Sequence, residues 1–192
     1  MKVKTLFISI LILVFTLCSC SNQKITKVDM STISSAKKVD MSGYQNMPAF
    51  DHQFLAIDIN DFKDIFENKK SAIIYLGYKK CHICQIATQY LNEVAKEKNQ
   101  IIYYYNVADE TFGLKNKDNA KLVYGYLDSV LDSSNGQKAI FTPHAISVVN
   151  GKIVADHLGL SKTNPWSTND SKNDKAKQEL KEKYTALMEY YN

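Results

Sequence analysis

This chain of 192 residues has no strong excess of positive or negative charge. Its 24 basic and 20 acidic residues leave a formal net charge of +4, and Lys2 and Lys4 lie at the extreme N-terminus. Without residues 1–19 the excess falls to about +2. Nucleic-acid-binding proteins normally carry a basic patch or stripe, so we expect no nucleic-acid partner. The 45% of hydrophobic and 23% of charged residues are typical of a soluble globular fold.

A hydrophobic run that could span a bilayer comfortably is also missing. The apolar run Leu6–Leu17 has 12 residues, whereas a membrane-spanning helix needs about 20. The run follows a short basic region and has the length of a signal-peptide core. We therefore expect residues 1–19 to be an export signal.

The end of this run resembles the bacterial lipobox. In Leu17-Cys18-Ser19-Cys20 a leucine stands three residues before a cysteine, with a small residue immediately before that cysteine. The resemblance implies cleavage before Cys20, attachment of lipid to its sulfur and a place on the extracytoplasmic face of the cell membrane. An ordinary signal peptide, or an uncleaved anchor with an incidental cysteine, is the alternative.

Cysteine is scarce, with four residues in the whole chain. If Cys18 leaves with the signal and Cys20 carries lipid, only Cys81 and Cys84 remain. Disulfides persist outside the cytoplasm, but a bridge that closes so short a loop removes little chain entropy and stabilises a fold weakly. We therefore expect the pair to take part in a chemical reaction and not to serve as a structural bridge. A second C-x-x-C motif, which a four-ligand zinc site would use, is missing, and we expect neither a metal nor another cofactor.

Residues 20–45 are rich in Ser, Lys, Thr and Asp and show little hydrophobic periodicity. We expect them to form a flexible polar linker between the lipid and the domain. A short pattern occurs at Lys27–Ser31 and again, eleven residues later, at Lys38–Ser42. This repeat is either a binding motif or a sign of biased linker composition. Residues 46–192 would then form the folded domain.

Beyond residue 46, strand and helix patterns alternate. Continuous apolar runs predict strands, and apolar residues spaced three and four apart predict helices. Asn150-Gly151 between two strand patterns is the strongest short hairpin signal. Alternation followed by a terminal hairpin predicts an α/β fold, with a mixed central sheet and helices on both of its faces. The predicted strands are Leu55–Ile57, Ser71–Gly77, Ile101–Val107, Ala145–Val149 and Lys152–His157, and the predicted helices are Ile59–Asn68, Cys81–Lys98, Asn119–Leu131 and Asp170–Tyr191.

A C-x-x-C motif, Cys81 to Cys84, stands where a predicted buried strand passes into a predicted helix. Unpaired backbone N–H groups and the helix dipole favour a thiolate at a helix N-terminus. Cys81 lies in that first turn, and Cys84, one turn further, would be more buried. We therefore expect Cys81 to attack the substrate and Cys84 to resolve the mixed disulfide. Lys79 and Lys80 either favour the thiolate further or are simply solvated.

A proline accompanies the motif. Thr142-Pro143 precedes a predicted strand, and proline is restricted to a few positions in strands because it cannot donate a backbone hydrogen bond. The chain resembles the thioredoxin superfamily over roughly residues 54–159. The resemblance rests on the order of four features: the strand–C-x-x-C–helix unit, Pro143, the Asn150-Gly151 hairpin and a following glycine. The resemblance implies a thioredoxin-like fold with a cis peptide bond at Pro143, packed beside Cys81. It also implies that Thr142 offers backbone hydrogen bonds to a bound peptide.

The sequence departs from the family's pattern at four places, and at one of them Tyr78 lies near the position of the family's tryptophan. His82 and Ile83 separate the cysteines where reducing thioredoxins carry Gly-Pro. Tyr75 stands in place of a buried acid, and the segment before Thr142 is longer than in a minimal thioredoxin. The signal, the polar linker and the motif together look most like the lipid-anchored bacteriocin transport accessory proteins of Gram-positive bacteria. That resemblance implies the fold and no particular substrate.

These features support one leading functional hypothesis, an extracytoplasmic thiol–disulfide oxidoreductase that acts on exported polypeptides or protein thiols. A membrane redox partner would be needed to recharge a reductase there. A cationic His82 would stabilise the Cys81 thiolate and make the disulfide more oxidising. The alternative for His82 is a tolerated polar residue at an exposed helix start.

Two other functions stay open. The replaced acid and the missing tryptophan favour a non-catalytic accessory or binding module for the export of a peptide such as a bacteriocin. Cys81, Cys84 and His144 would also suit a copper or zinc ion, as in a copper chaperone, unless His144 points away from the cysteines.

Overall fold

A six-stranded mixed sheet runs through the centre of the protein. The structure is a computed structural model that describes residues 25–160 and 174–192. The expected signal over residues 1–19 and the lipid site at Cys20 lie outside these described residues, as does the start of the last predicted helix. Within the described ranges, no helix combines the length and the apolar character needed to cross a membrane.

Parallel strands occupy the middle of the sheet, and antiparallel strands flank them. The strands are β1 (Lys37–Lys38), β2 (Phe54–Ala56), β3 (Ala72–Gly77), β4 (Ile102–Asn106), β5 (Asp132–Ser134), β6 (Gln137–Ala139), β7 (His144–Val149) and β8 (Lys152–Leu158). The order in the sheet is β1-β2-β4-β3-β7-β8, with β2, β4 and β3 parallel to one another. Strands β1, β7 and β8 are antiparallel to their neighbours, and β5 and β6 form a separate hairpin.

Helices cover both faces of the sheet. They are α1 (Ile59–Glu67), α2 (His82–Glu97), α3 (Lys117–Leu127), which continues into a 3₁₀ turn at Asp128–Val130, and α4 (Asp174–Met188). Helices α2 and α4 pack on one face with one hydrophobic cluster, and α1 and α3 pack on the other face with a second cluster. All six residues of β3 are buried, because this central strand is covered on both sides.

The structure confirms the predicted α/β class, with its mixed sheet and flanking helices. The hairpin of β7 and β8 turns at Asn150-Gly151, where both residues have positive φ. The Thr142–Pro143 peptide bond before β7 is cis, and the backbone N–H of Gly159 donates to the carbonyl of Pro143. This order of elements is the thioredoxin-like arrangement that the resemblance implies.

Residues 25–45, the described part of the expected linker, pack against the domain. Ile33, Met41 and Tyr44 are buried, β1 pairs with β2 at the sheet edge, and the hydroxyls of Tyr44 and Tyr104 lie 2.9 Å apart. The structure therefore differs here from the flexible linker that we expected. The apolar residues of this segment are spaced irregularly along the sequence, so they show neither a helical nor a strand period. We call residues 25–53 the N-terminal arm.

The N-terminal arm begins at the end of the sheet that lies away from the cysteine pair. The N–H of Val28 donates to the carbonyl of Tyr190, and the N–H of Ser31 donates to the carbonyl of Ser71, directly before β3 begins. The second copy of the repeated pattern lies elsewhere and buries Met41. The two copies therefore contact different parts of the same domain, and each contributes to packing.

The hairpin of β5 and β6 was absent from the sequence prediction. It turns at Asn135-Gly136, where both residues have positive φ, so the local turn signal is present in the sequence. Its strands are polar and mostly exposed. Because no alternation of apolar and polar residues marks them, only the turn could have indicated this hairpin.

Candidate active site

The cysteine pair lies at the N-terminus of α2, directly after the loop that follows β3. Cys81 is the N-cap residue of α2, and its Sγ accepts a hydrogen bond of 3.1 Å from the backbone N–H of Cys84. Cys81 and Cys84 form a disulfide, with their Cα atoms 5.1 Å apart. Cys81 is 8% exposed and Cys84 is fully buried. Of the two cysteines, only Cys81 keeps any exposure to solvent.

In the reduced protein this position favours a thiolate at Cys81. The N–H of Cys84 points at the Cys81 sulfur, and the positive end of the α2 dipole lies at the same place. Both interactions stabilise an anion more than a neutral thiol. The arrangement fits the expected roles, with Cys81 as the attacking thiol and the buried Cys84 as the resolving thiol.

Thr142, directly before the cis-proline Pro143, lies against Cys81. Antiparallel pairing of β3 with β7, in which Leu76 faces His144, brings the two segments together. The carbonyl oxygen and the hydroxyl of Thr142 both lie 3.7 Å from Sγ of Cys81. The hydroxyl can donate to the sulfur, and this contact adds a third group that favours a thiolate.

An uncharged chain of hydrogen bonds lies beneath Cys84. The hydroxyl of Thr88 donates to the carbonyl of Cys84 at 2.7 Å, and the hydroxyl of Tyr75 lies 2.9 Å from Oγ1 of Thr88. Burial raises the pKa of Tyr75 well above its usual value, so this residue stays neutral. Gly77 leaves room for the Tyr75 ring, because a Cβ there would lie 2.7 Å from Cε1 of the ring.

His144 does not join the cysteines. Paired residues of neighbouring strands share a face of the sheet, so His144 lies on the face of its partner Leu76, where α1 and α3 pack. Its Nε2 lies 2.7 Å from Oδ2 of Asp156. The set Cys81, Cys84 and His144 is thus not assembled into one metal site. Within residues 25–160 and 174–192, no cluster of three or more His, Cys, Asp or Glu residues could hold a metal ion.

The remaining predicted modulators are exposed around the motif. His82 is the first residue of α2, and it is exposed, as are Lys79 and Lys80. Gln85, which the sequence did not single out, ties this region to the N-terminal arm. Its side-chain amide donates to the carbonyls of Gly43 and Lys79, and its oxygen accepts from the N–H of Gln45. Gln85 lies one turn after Cys81, and helical spacing was the only signal that could have indicated it.

No protein-family model matches the chain. Its structure is similar to that of a protein with a thioredoxin fold, at 18% identity and a TM-score of 0.42, with 55% of this chain and 82% of that chain covered. It is also similar to thioredoxin O2 from Arabidopsis thaliana in the oxidized state, at 15% identity, a TM-score of 0.38 and coverages of 57% and 85%. Thioredoxin from Aeropyrum pernix gives 21% identity, a TM-score of 0.39 and coverages of 62% and 83%.

Proposed function

We propose that the protein is a thiol–disulfide oxidoreductase that acts through Cys81 and Cys84 on exported polypeptides. The observation that carries this proposal is the position of Cys81. Cys81 is the N-cap residue of α2, lies beside Thr142 and keeps some exposure, with the fully buried Cys84 one turn behind it. A structural bridge has no need of a helix N-terminus that favours its reduced form.

The exchange proceeds in two balanced steps. The Cys81 thiolate attacks one sulfur of a substrate disulfide, forms a mixed disulfide and releases the other substrate sulfur as a thiolate, which takes up a proton. Cys84 then loses its proton and attacks the Cys81 sulfur. This closes the Cys81–Cys84 disulfide and releases the second substrate thiolate. Two electrons pass from protein to substrate, and the reverse sequence oxidises a substrate dithiol.

The proposed location rests on the N-terminal sequence. Residues 1–19 have the pattern of an export signal, and Leu17 to Cys20 resemble a lipobox. We place the protein on the extracytoplasmic face of the cell membrane, anchored through lipid on Cys20. Its partners there would be exported polypeptides or protein thiols, with a membrane redox partner that resets the cysteines. Labelling of the wild-type chain, but not of Cys20→Ser, by a fatty acid analogue tests the anchor.

Trapping of a mixed disulfide tests the assignment of the two cysteines. In Cys84→Ser the first step remains possible and the second is blocked, so substrate should accumulate bound to Cys81. In Cys81→Ser the buried Cys84 has no access, and no complex should form. Equal trapping by the two variants, or exchange that persists in Cys81→Ser, would contradict the proposal.

The reduction potential of the pair separates exchange chemistry from a structural bridge. We expect a value between about −270 and −120 mV, the range of known dithiol oxidoreductases. Equilibration of the full chain with glutathione, followed by thiol trapping, measures it. A value below about −300 mV is typical of a structural disulfide and would rule out exchange as the function.

A non-catalytic binding module is the second candidate, and the chain of Tyr75 and Thr88 favours it. Within the described residues, these neutral side chains occupy the region beneath Cys84 where a buried acid would serve catalysis. Such a module would bind an exported peptide, for example a bacteriocin, as an accessory to its transport. Normal export in cells that carry Cys81→Ser together with Cys84→Ser would favour this candidate over the oxidoreductase.

A further inference from the structure

A cavity of about 480 Å³ opens at the same end of the sheet as the cysteine pair. It lies where β2 and β4 end, between the N-terminal arm, the start of α1 and the loop that follows β4. Asn106, one of its lining residues, is the register partner of Gly77, which ends the strand leading to Cys81. Neighbouring strands are about 4.8 Å apart, so a polypeptide bound at Cys81 can extend toward this cavity.

The walls of the cavity are largely apolar. Its volume lies in the range of ligand pockets, which are lined mainly by apolar and aromatic side chains with a few polar groups. The apolar and aromatic lining residues are Val39, Ala56, Ile57, Tyr104, Tyr105 and Phe112.

Phe112 stands at the rim of the cavity and is 42% exposed. Its backbone is nevertheless fixed, because its N–H donates to Oδ1 of Asp109 at 2.8 Å and its carbonyl accepts from the hydroxyl of Tyr105. The exposure of this large aromatic ring therefore belongs to a defined loop conformation. An exposed aromatic side chain beside an apolar cavity is the type of surface to which polypeptides bind.

The charged groups of the cavity are mainly acidic. Asp58, Asp61 and Asp109 line it together with a single cation, Lys37. Among the described residues, none of these three carboxylates has a lysine within ion-pair distance. Backbone N–H groups bind Oδ1 of Asp58 and of Asp109. Such bonds orient a carboxylate.

Two buried tyrosines of the lining lie near this acidic charge. The pKa values of Tyr104 and Tyr105 are raised to about 12; burial is the main cause, the carboxylate of Asp109 is a smaller one, and at Tyr104 the hydrogen bond with Tyr44 opposes the rise. Negative charge in an apolar cavity disfavours anionic ligands and favours a cationic group that belongs to an otherwise apolar ligand.

We propose that this cavity binds an apolar polypeptide segment that carries a lysine or arginine side chain. The apolar residues would fill the cavity against Phe112, and the cation would lie between Asp58 and Asp109. This assignment rests on the proposed function only in taking that segment to be part of the substrate of Cys81. The binding itself uses none of the residues of the C-x-x-C motif.

Three labelled peptides of the sequence Gly-Leu-X-Phe-Gly, with X as Lys, Gln or Glu, test the proposal. Fluorescence polarisation with the full, oxidised chain at low salt measures their affinities. We expect the lysine peptide to bind at least about tenfold more tightly than the glutamate peptide, and the difference to shrink in 0.5 M salt because charges are then screened. Equal affinities for the three peptides would overturn the proposal.

A matched pair of variants tests the site within the protein. Asp109→Asn removes the charge but keeps an oxygen that can accept from the N–H groups of Thr111 and Phe112. Glu110→Gln removes the same charge from the neighbouring position, which lies outside the cavity and pairs with Lys115. We expect Asp109→Asn to weaken the lysine peptide about three- to tenfold and to leave the glutamine peptide unchanged. Glu110→Gln should change neither, and equal effects of the two variants would exclude the cavity as the site.

Two controls separate this proposal from the proposed function. Cys81→Ser should bind the lysine peptide as the wild type does. Exchange between the wild-type chain and a small non-peptide disulfide measures the chemistry of the cysteine pair without engaging the cavity. Peptide selectivity without exchange would overturn the oxidoreductase assignment alone, and exchange without peptide selectivity would overturn the cavity assignment alone.

Discussion

The hydroxyl of Tyr75 donates a hydrogen bond to Oγ1 of Thr88, 2.9 Å away. The direction follows from the next bond, since the single hydroxyl hydrogen of Thr88 already points at the carbonyl of Cys84. Tyr75 is fully buried in β3, and Thr88 lies one turn after Cys84 in α2. These two hydrogen bonds therefore fix α2 to the central strand β3 without placing a charge beside Cys84.

The first prediction concerns Tyr75→Phe. Because both partners are buried, loss of this hydrogen bond should lower the free energy of unfolding by about 1 kcal/mol. Thr88→Val should cost more, about 2 kcal/mol, since it leaves the Tyr75 hydroxyl without its acceptor. Urea unfolding of the three proteins measures these differences.

The pH dependence of disulfide exchange between pH 5 and 9 should be the same in Tyr75→Phe as in the wild type, because the pKa of this phenol lies well above that range. An altered profile would show that Tyr75 carries a proton in the reaction.

The second prediction concerns Thr142, whose hydroxyl lies 3.7 Å from Sγ of Cys81. In Thr142→Val the thiolate loses one donor, and alkylation of Cys81 at pH 7 should slow about two- to fivefold. Thr142→Ser keeps the hydroxyl and should react as the wild type does. Both measurements use the Cys84→Ser background, in which Cys81 is the reacting residue of the pair. Equal rates for the valine and serine variants would exclude this donor.

The third prediction tests whether the N-terminal arm belongs to the fold. Met41 is fully buried in the cluster that also contains Tyr75 and Cys84. Met41→Ala should therefore lower the free energy of unfolding by about 2–5 kcal/mol. Lys37→Ala, on an exposed position of the same arm, should change it by less than about 0.5 kcal/mol. If residues 25–45 acted as a linker, the two variants would unfold at the same urea concentration.

The fourth prediction concerns pH and His52, a buried residue of the N-terminal arm. Burial lowers the pKa of His52, and the charges of Lys38 and Lys96 lower it further. The contacts also fix a neutral tautomer, because Nδ1 accepts from the N–H of Phe54 while Nε2 lies 2.8 Å from the carbonyl of Val39.

The unfolded chain binds a proton at His52 more readily than the folded chain does. The contribution of neutral His52 is therefore present above the ordinary pKa of about 6.5 and is lost as the pH falls below it. Urea unfolding at pH 7.5 and pH 5.0 should show a loss of stability at the lower pH, and His52→Gln should show a smaller loss over that range. His157, whose pKa burial also lowers, should contribute in the same direction. An equal loss in wild type and His52→Gln would contradict this assignment.

Elements with a periodic burial pattern were predictable from the sequence. Strand β3 is buried along its whole length and reads as a continuous apolar run, and α2 buries Ala87, Leu91 and Val94 at helical spacing. The N-terminal arm was not predictable in this way. Its contacts include that between Tyr44 and Tyr104, which are 60 positions apart. A contact between residues so far apart cannot be inferred from the local spacing of apolar residues.

The candidate active site was only partly predictable. Cys81, Cys84 and Pro143 carry a recognisable order along the chain, and Thr142 follows from its place before the proline. The partners of His144 could not be inferred, because its orientation depends on the register between β7 and β8 that brings it to Asp156. The cavity around Asp109 and Phe112 was equally hidden, since three separate segments of the chain form its walls.

The route of the N-terminal arm has a consequence for how far the cysteine pair stands from a membrane. The arm joins the fold at Val28 and Ser31, near the start of β3, and Cys81 follows the other end of that strand. Six strand residues rise about 20 Å. In the anchored form that we propose, the chain from the lipid on Cys20, eight residues before Val28, would enter the fold at the end opposite the motif. The cysteine pair would then be available to chains that are exposed to water.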